Sequence, residues 1–406
     1  MDHTIGKLLT IPNRRLIHII LYDIYNFGNI FLKIILGGKI MIFLGIDLHS
    51  NCFTCCFIYD DGKKLKVAFQ LNAESLLDFF KLLTLNTYVM VEASTNTFKF
   101  VELIKAKVKE VYVANTYKLK LISLVKKKTD KIDAEKLAII LKMQITSNEE
   151  LIKSVYLPEQ TVQDLRSLFT TYSLIKKQIT QIKNRIHAIF KQNLHPFTRE
   201  KIFSISARNE IKKIELGEVA DYQIKYLFEV LENLEKKFNE IDESIKVIGQ
   251  KYYKEIDILT SMKGISIITA IAIIADIAEV KRFPNSKHFT SYLRSAPGVD
   301  SSNEEVRITK TTKHGRKLSV SLLSQSLNHF RDNNIKIKKW YNKKVEVESH
   351  KRGKIRMGIC RKVFAEIYQM LKKGEYHYFM DAENHSKKMN EYDLFCKRSI
   401  LFKKVA

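Results

Sequence analysis

Met41-Ile42-Phe43-Leu44-Gly45-Ile46-Asp47 is an apolar run closed by a carboxylate. Its β-branched and aromatic content predicts a buried strand, and an acid at the end of such a strand gains nothing obvious from burial. Working outward, Cys52 to Tyr59 reads as a second strand, Asp60-Asp61-Gly62 as a tight turn and Leu65 to Gln70 as a third strand, together an antiparallel meander. The period then changes. Ala73 to Leu83 carries Leu76, Leu77, Phe79, Phe80 and Leu83 at helical spacing. Tyr88 to Glu92 reads as a buried strand that again ends in an acid, Thr97 to Lys107 as a helix and Val111 to Ala114 as a strand.

Three strands, then helix, strand, helix, strand is the order of a ribonuclease H-like domain. In that architecture the first and fourth strands lie side by side, so Asp47 and Glu92 are expected to meet at their ends. Lys126-Lys127-Lys128-Thr129-Asp130-Lys131-Ile132-Asp133 adds two more acids at a predicted helix start, spaced to share one side of its first turn. An acid there is commonplace as a cap and dipole partner. The set of four is more specific than any member. Converging carboxylates are what hard cations need in phosphoryl transfer, so a hard divalent cation on Asp47, Glu92, Asp130 and Asp133 is expected.

The charge balance agrees: 69 Lys+Arg against 44 Asp+Glu give a net charge of +25, which attracts nucleic-acid phosphate, with an anionic membrane surface as the rival. With 45% hydrophobic residues, 5 Pro and 14 Gly, the chain is globular rather than a disordered basic tail, with two or three cores expected. The 5 cysteines are an odd number, and Cys52, Cys55 and Cys56 fall in one predicted strand, which fits reduced thiols in the cytoplasm. Cys52-x-x-Cys55-Cys56 lacks the second Cys or His pair of a zinc site. Leu16 to Ile40 is broken by Asp23, Asn26, Asn29 and Lys33, short of the ~18 apolar residues of a spanning helix. It is also a poor signal peptide, and translation from Met41 is the expectation.

The middle differs. Leu165, Leu168, Tyr172, Ile175, Ile179, Ile182, Ile186 and Ile189 form a heptad seam, and Ile224, Leu227, Leu231, Leu234, Phe238, Ile241, Ile245 and Ile248 form a second. Two such helices form either a hairpin within one chain or a zipper between chains. Further on, Met262-Lys263-Gly264-Ile265-Ser266 precedes the apolar helix Ile267 to Ile277, a turn able to expose amides to phosphate. Pro297-Gly298-Val299-Asp300-Ser301-Ser302-Asn303 reads as a turn-rich loop, followed by Arg307, Lys310, Lys313, His314, Arg316 and Lys317. Lys336 to Arg356 mixes Trp340 and Tyr341 with lysines, as nucleic-acid-binding surfaces often do.

Gly45-Ile46-Asp47, Val91-Glu92-Ala93-Ser94 and Lys128-Thr129-Asp130-Lys131-Ile132-Asp133-Ala134 resemble, in this order, the DEDD transposases of bacterial insertion sequences in the IS one-ten family. Met262-Lys263-Gly264-Ile265, Phe283, Tyr292, Pro297, Ser302 and Lys313-His314-Gly315 look like that family's second domain, and Arg361-Lys362 to Leu371 like its closing helix. The resemblance implies an α/β plus α chain: a RuvC-like domain holding magnesium with the four acids, a coiled-coil linker, and a mostly helical transposase domain. It implies that Ser302 attacks the DNA phosphate, with Ser301 as the rival. It further implies a structured guide RNA, the family's bridge RNA, and a homo-oligomer, dimer or tetramer. The chain departs from the family at Ser266 in the glycine turn, at Asn303-Glu304-Glu305 after the serine and at Arg316 after Gly315.

The expected organisation is an N-terminal extension over 1–40, a RuvC-like domain over 41–148, coiled-coil helices over 160–250, a transposase domain over 255–376 and a basic tail over 377–406. Lys126, Lys127, Lys128, Arg307, Lys310, Lys313, Arg316 and Lys317 are the expected nucleic-acid contacts. The expected function is a DNA recombinase that excises and inserts its own element, without membrane partners. The alternatives are a RuvC-like junction nuclease without serine chemistry and an inactive nucleic-acid-binding derivative.

Overall fold

The computed structural model describes residues 41–115, 129–195, 197–204, 208–211, 213–302, 305–311 and 315–405. The extension 1–40, Lys126 to Lys128 and Lys313 lie outside the described residues. Contacts divide the chain into two units, which meet in sequence at Leu157 and Pro158.

The first unit is built on a five-stranded sheet: β1 (Ile42–Leu48), β2 (Cys52–Tyr59), β3 (Lys64–Gln70), β4 (Thr87–Glu92) and β5 (Glu110–Ala114). Their order is β3-β2-β1-β4-β5, with β1 antiparallel to β2 and parallel to β4. This is the ribonuclease H-like arrangement, and the first and fourth strands are neighbours. Helices α1 (Ala73–Lys81) and α2 (Thr97–Ile104) follow β3 and β4, and α3 (Asp130–Ser147) follows β5.

Because side chains alternate along a strand, each face of the sheet has its own core. Ile42, Leu44, Ile46 and Leu48 pack with Phe79, Phe100 and Ile104 of α1 and α2. Phe43, Cys56, Tyr88 and Met90 pack with Ala134, Leu137, Ala138 and Leu141 of α3. Cys55 and Cys56, adjacent on β2, therefore serve opposite faces and do not converge on one ion. Gly45 falls on the α3 face, where a Cβ would stand 2.1 Å from the Ala134 carbonyl oxygen and 2.4 Å from the Ala138 amide nitrogen. Glycine thus lets α3 lie directly on the β1 backbone. The other end of the contact is an ion pair, with Lys64 of β3 donating to Glu135 of α3 at 2.7 Å.

The second unit is almost entirely helical. α4 (Gln160–Gln192) and α5 (Glu218–Gly249) pair antiparallel within this one chain: the Tyr172 and Phe238 rings are 4.6 Å apart, and Lys183 meets Glu235 at 2.8 Å. Farther along, Ile186, Ile189 and Phe190 bury against Ile224, Phe228 and Leu231. The hairpin is therefore formed. α6 (Tyr253–Thr260) leads to α7 (Ile267–Ile277), in which every residue from Thr269 to Ile277 is buried. A helix apolar on all sides is the centre of a core, and others wrap it. These include α8 (Ser286–Tyr292), α9 (Leu318–Leu323), α10 (Leu327–Asp332), α11 (Ile335–Glu348) and α12 (Arg352–Lys373). Between α8 and α9 stands a two-stranded ribbon, β6 (Pro297–Ser302) and β7 (Glu305–Thr311).

Burying α7 end to end leaves its last carbonyls without water, and arginines supply the donors. Arg166 of α4 donates to the carbonyls of Ala275 at 2.7 Å and Asp276 at 3.1 Å, and Arg282 donates to Ile277 at 2.8 Å. The Asp276 carboxylate, 1% exposed, accepts from Ser319 Oγ at 2.6 Å, the Ser319 amide at 2.8 Å and Arg316 Nε at 3.2 Å. Burial, with Arg316 nearby, pulls the Arg166 guanidinium down to about 10. The stretch read from sequence as a basic tail includes a helix, α13 (Ala382–Val405), whose Met389 and Tyr392 enter this core. Its Lys388 donates to the carbonyls of Thr260 at 3.2 Å and Ile265 at 2.9 Å. No helix among the described residues is long and apolar enough to cross a membrane.

Two substitutions test these contacts. Gly45→Ala sets a methyl group against backbone that cannot rotate away, and urea unfolding is expected to show a loss of about 2 kcal/mol or more. Arg166→Met strands two buried carbonyls, and a loss of roughly 2 to 4 kcal/mol with a lowered Tm is expected.

Candidate active site

Strand parity decides which way the acids face. Asp47 lies two residues beyond Gly45 on β1, and Glu92 two beyond Met90 on β4, so both belong to the α3 side of the sheet. The parallel register pairs Ile46 with Val91, which sets Asp47 beside Glu92 at the carboxyl ends of the two strands. α3 begins at Asp130, and Ala134 and Ala138, which hold it to Gly45, fix where its first turn ends up. The N-cap residue is Thr129, whose side chain makes no capping bond. Asp130 reaches His49 instead.

The four acids act on one another. Burial is the main cause that raises the Asp47 carboxyl above its ordinary value; Asp130, Glu92 and Asp133 each raise it further, and His49 opposes them. Such mutual repulsion at a sheet edge is relieved by a cation. Asp47 is 8% exposed, whereas the Asp130 and Asp133 side chains are more open, at 59% and 30%. The cluster thus has a fixed, buried floor and an accessible rim. Lys136, one turn along α3, donates to Asp133 at 3.1 Å.

His49 is the residue that the sequence reading passed over. Its Nε2 lies 3.4 Å from an oxygen of Asp47 and 3.4 Å from an oxygen of Asp130. One ligand atom from each of Asp47, His49 and Asp130 falls within 4.8 Å of the others, close enough to hold a metal ion. The only sequence signal was a histidine two residues after the strand-ending acid. Asn96 fastens this corner by donating to the His49 carbonyl at 2.8 Å, tying the turn after β1 to the start of α2. Thr97 Oγ1 donates to the Glu92 carbonyl at 2.9 Å and fixes the end of β4.

Ser302 belongs to the second unit and ends β6, where it pairs with Glu305; Ser301 pairs with Val306. The expected loop is thus a β-ribbon. Val306 and Ile308 alternate with polar residues at the strand period, and only Asn303 and Glu304, outside the described residues, separate the strands. Arg307 and Lys310 lie on β7. Downstream of the ribbon, Gly315 has φ +93° and a Cβ there would meet the Tyr292 carbonyl oxygen at 2.1 Å, so glycine is required. Arg294 donates to the Gly315 carbonyl at 2.8 Å, and Arg316, an expected nucleic-acid contact, turns to Asp276. Lys317 is the N-cap residue of α9. The glycine turn before α7 is also accounted for: Ser266 Oγ caps the helix by accepting from Thr269 N at 3.2 Å.

Comparison with known families gives two matches, in the same order as the two units. Residues 44–195 match the model of the IS110-type DEDD transposases, described as a transposase, and residues 256–332 match the model described as transposase IS116/IS110/IS902 family. No curated protein matches the chain. The first match contains the converging acids, the second contains the serine ribbon, and together they span more than half of the sequence. A ribonuclease H-like sheet with acids at its carboxyl edge, followed by this helical unit, is a DNA-cleaving and rejoining enzyme: the chain belongs to the IS110 family of DEDD transposases.

Proposed function

We propose that this transposase excises and inserts its element by metal-dependent strand cleavage and rejoining with Ser302 as nucleophile, under guidance of a structured RNA. The observation that supports it best is the convergence of Asp47, Glu92, Asp130 and Asp133, with His49 between two of them, at one sheet edge. An oxygen-rich donor set of this kind suits a hard divalent ion such as Mg2+ or Mn2+ better than a soft one. When bound, such an ion neutralises charge on the phosphate and on the leaving and attacking oxygens. Asp47, the buried member, anchors the donor set, and the open Asp130 and Asp133 leave room for substrate.

In this reading the Ser302 hydroxyl oxygen bonds to phosphorus while the phosphorus–oxygen bond to the neighbouring nucleotide breaks. The serine proton leaves to an acceptor, and the released strand end gains one. Attack by a strand hydroxyl on the phosphoserine ester then restores the serine. The extended β-ribbon supports this role by presenting Ser302 at its tip, beside an interstrand gap of two residues. Domains over 41–148, 160–250 and 255–376, DNA contacts through Lys126 to Lys128, Arg307, Lys310, Lys313, Arg316 and Lys317, a cytoplasmic location and a homo-oligomer complete the proposal.

Asp47→Asn is expected to reduce strand cleavage by more than a hundredfold while DNA binding, measured by gel shift, persists; unchanged cleavage rejects the metal site. Ser302→Ala is expected to abolish a denaturant-stable protein–DNA adduct. Full cleavage without an adduct would instead favour a water-using junction nuclease.

A further inference from the structure

A cavity of about 520 Å³ opens beside the foot of the serine ribbon, within the 300 to 1,000 Å³ typical of small-ligand sites. Its walls come from three elements: Pro297 and Thr311, the first cross-strand pair of the ribbon; Trp340, Lys344 and Glu348, one face of α11; and Gly353, Lys354 and Arg361 of α12. Spacing of four residues puts the α11 trio in one row.

The cavity is shaped around its indole. At Gly358 a Cβ would stand 2.4 Å from Trp340 Cη2, so a glycine inside α12, a poor helix former, seats the ring. Lys362 lies over the indole at 5.0 Å from the centroid. Gly353, in the first turn of α12, is exposed and has nothing within 4 Å of where a Cβ would stand, so the cavity is open to solvent at this edge. The charge is one-sided, with Lys344, Lys354 and Arg361 facing a single carboxylate, Glu348. Lys351 already donates to that carboxylate at 3.1 Å. Lys354 and Arg361 have no ion-pair partner among the described residues.

An aromatic wall, surplus cations and one acceptor match a flat base bearing phosphate. We propose that this cavity takes one unpaired nucleotide of a bound DNA or RNA strand, its base against Trp340 and its phosphate at Lys354 and Arg361. Duplex is too wide for a cleft of this volume, whereas a strand separated during cleavage and rejoining supplies such a nucleotide. Ser302 lies five positions beyond Pro297 on β6, about 17 Å of strand, so the captured nucleotide lies a short way along the chain from the proposed nucleophile. The proposal rests on the reading of the chain as a nucleic-acid enzyme and adds which surface holds an unpaired strand.

Trp340 is the single tryptophan of the chain, so its fluorescence reports on this cavity alone. Full-length protein is titrated with a single-stranded DNA hexamer, the matching RNA hexamer and a blunt duplex, with binding followed in parallel by anisotropy of labelled oligonucleotide. Saturable quenching by a single strand and not by duplex is expected, and the stronger of the DNA and RNA responses identifies the source. Gly353→Leu adds bulk at the cavity lining, where a Cβ meets nothing within 4 Å, so circular dichroism and Tm are expected to stay as they are. That variant is expected to lose the quenching and to weaken single-strand binding about tenfold, while Arg361→Ala weakens it severalfold. Anisotropy binding with no quenching, or quenching that survives Gly353→Leu, overturns the cavity and leaves the nucleic-acid reading standing. No binding of any oligonucleotide overturns both.

Discussion

The first unit depends on the contact of α3 with the backbone of β1 at Gly45. There, no side chain separates strand from helix, and the helix is pressed close enough that its first turn reaches the end of the strand. The consequence is electrostatic. Two unit charges about 4 Å apart interact with roughly 4 kcal/mol at the effective dielectric of a protein surface, so a site that gathers several acids opposes its own folding. The apolar packing on both faces of the sheet holds them there regardless, and the Asp47 carboxyl is raised first by its burial and further by the neighbouring acids. A buried acid with further acids gathered beside it is suited to hold a cation and, through it, phosphate.

Charge has a different use in the second unit. The strongly basic composition invites the view that every arginine and lysine is a nucleic-acid contact, yet several are spent inside the fold. Arg166 and Arg282 close the carbonyl end of α7, Arg316 meets the buried Asp276, and Lys388 binds the carbonyls of Thr260 and Ile265. Arg166 and Arg282 answer a donor shortage created by sinking a short apolar helix wholly into a core, Arg316 neutralises its buried acid, and Lys388 satisfies carbonyls just before that helix. The departure from the family at Arg316, next to Gly315, has a local explanation here: the guanidinium serves Asp276, and the glycine lets the chain pass close to Tyr292.

Much of the first unit is legible in the sequence because strand and helix periods are local. The apolar run ending in Asp47, the second ending in Glu92 and the i, i+3 acids of α3 define the elements, and strand parity puts Asp47 and Glu92 on one face. The ribbon bearing Ser302 was less legible. Its glycine, proline and serines read as a loop, and only the pairing of Val299 with Ile308 and of Ser301 with Val306 makes it a strand. The helix in the basic end of the chain was less legible for the same reason, since Met389 and Tyr392 meet residues more than a hundred positions earlier.

The sequence by itself determined the elements, their order, the acids and the family resemblance, because these follow from spacing along a single chain. Tertiary structure alone decided that the two heptad helices pair within one chain, that His49 stands between Asp47 and Asp130, and that Gly45 and Gly358 seat a helix and an indole. Those facts depend on distances between residues remote in sequence, which no local pattern encodes.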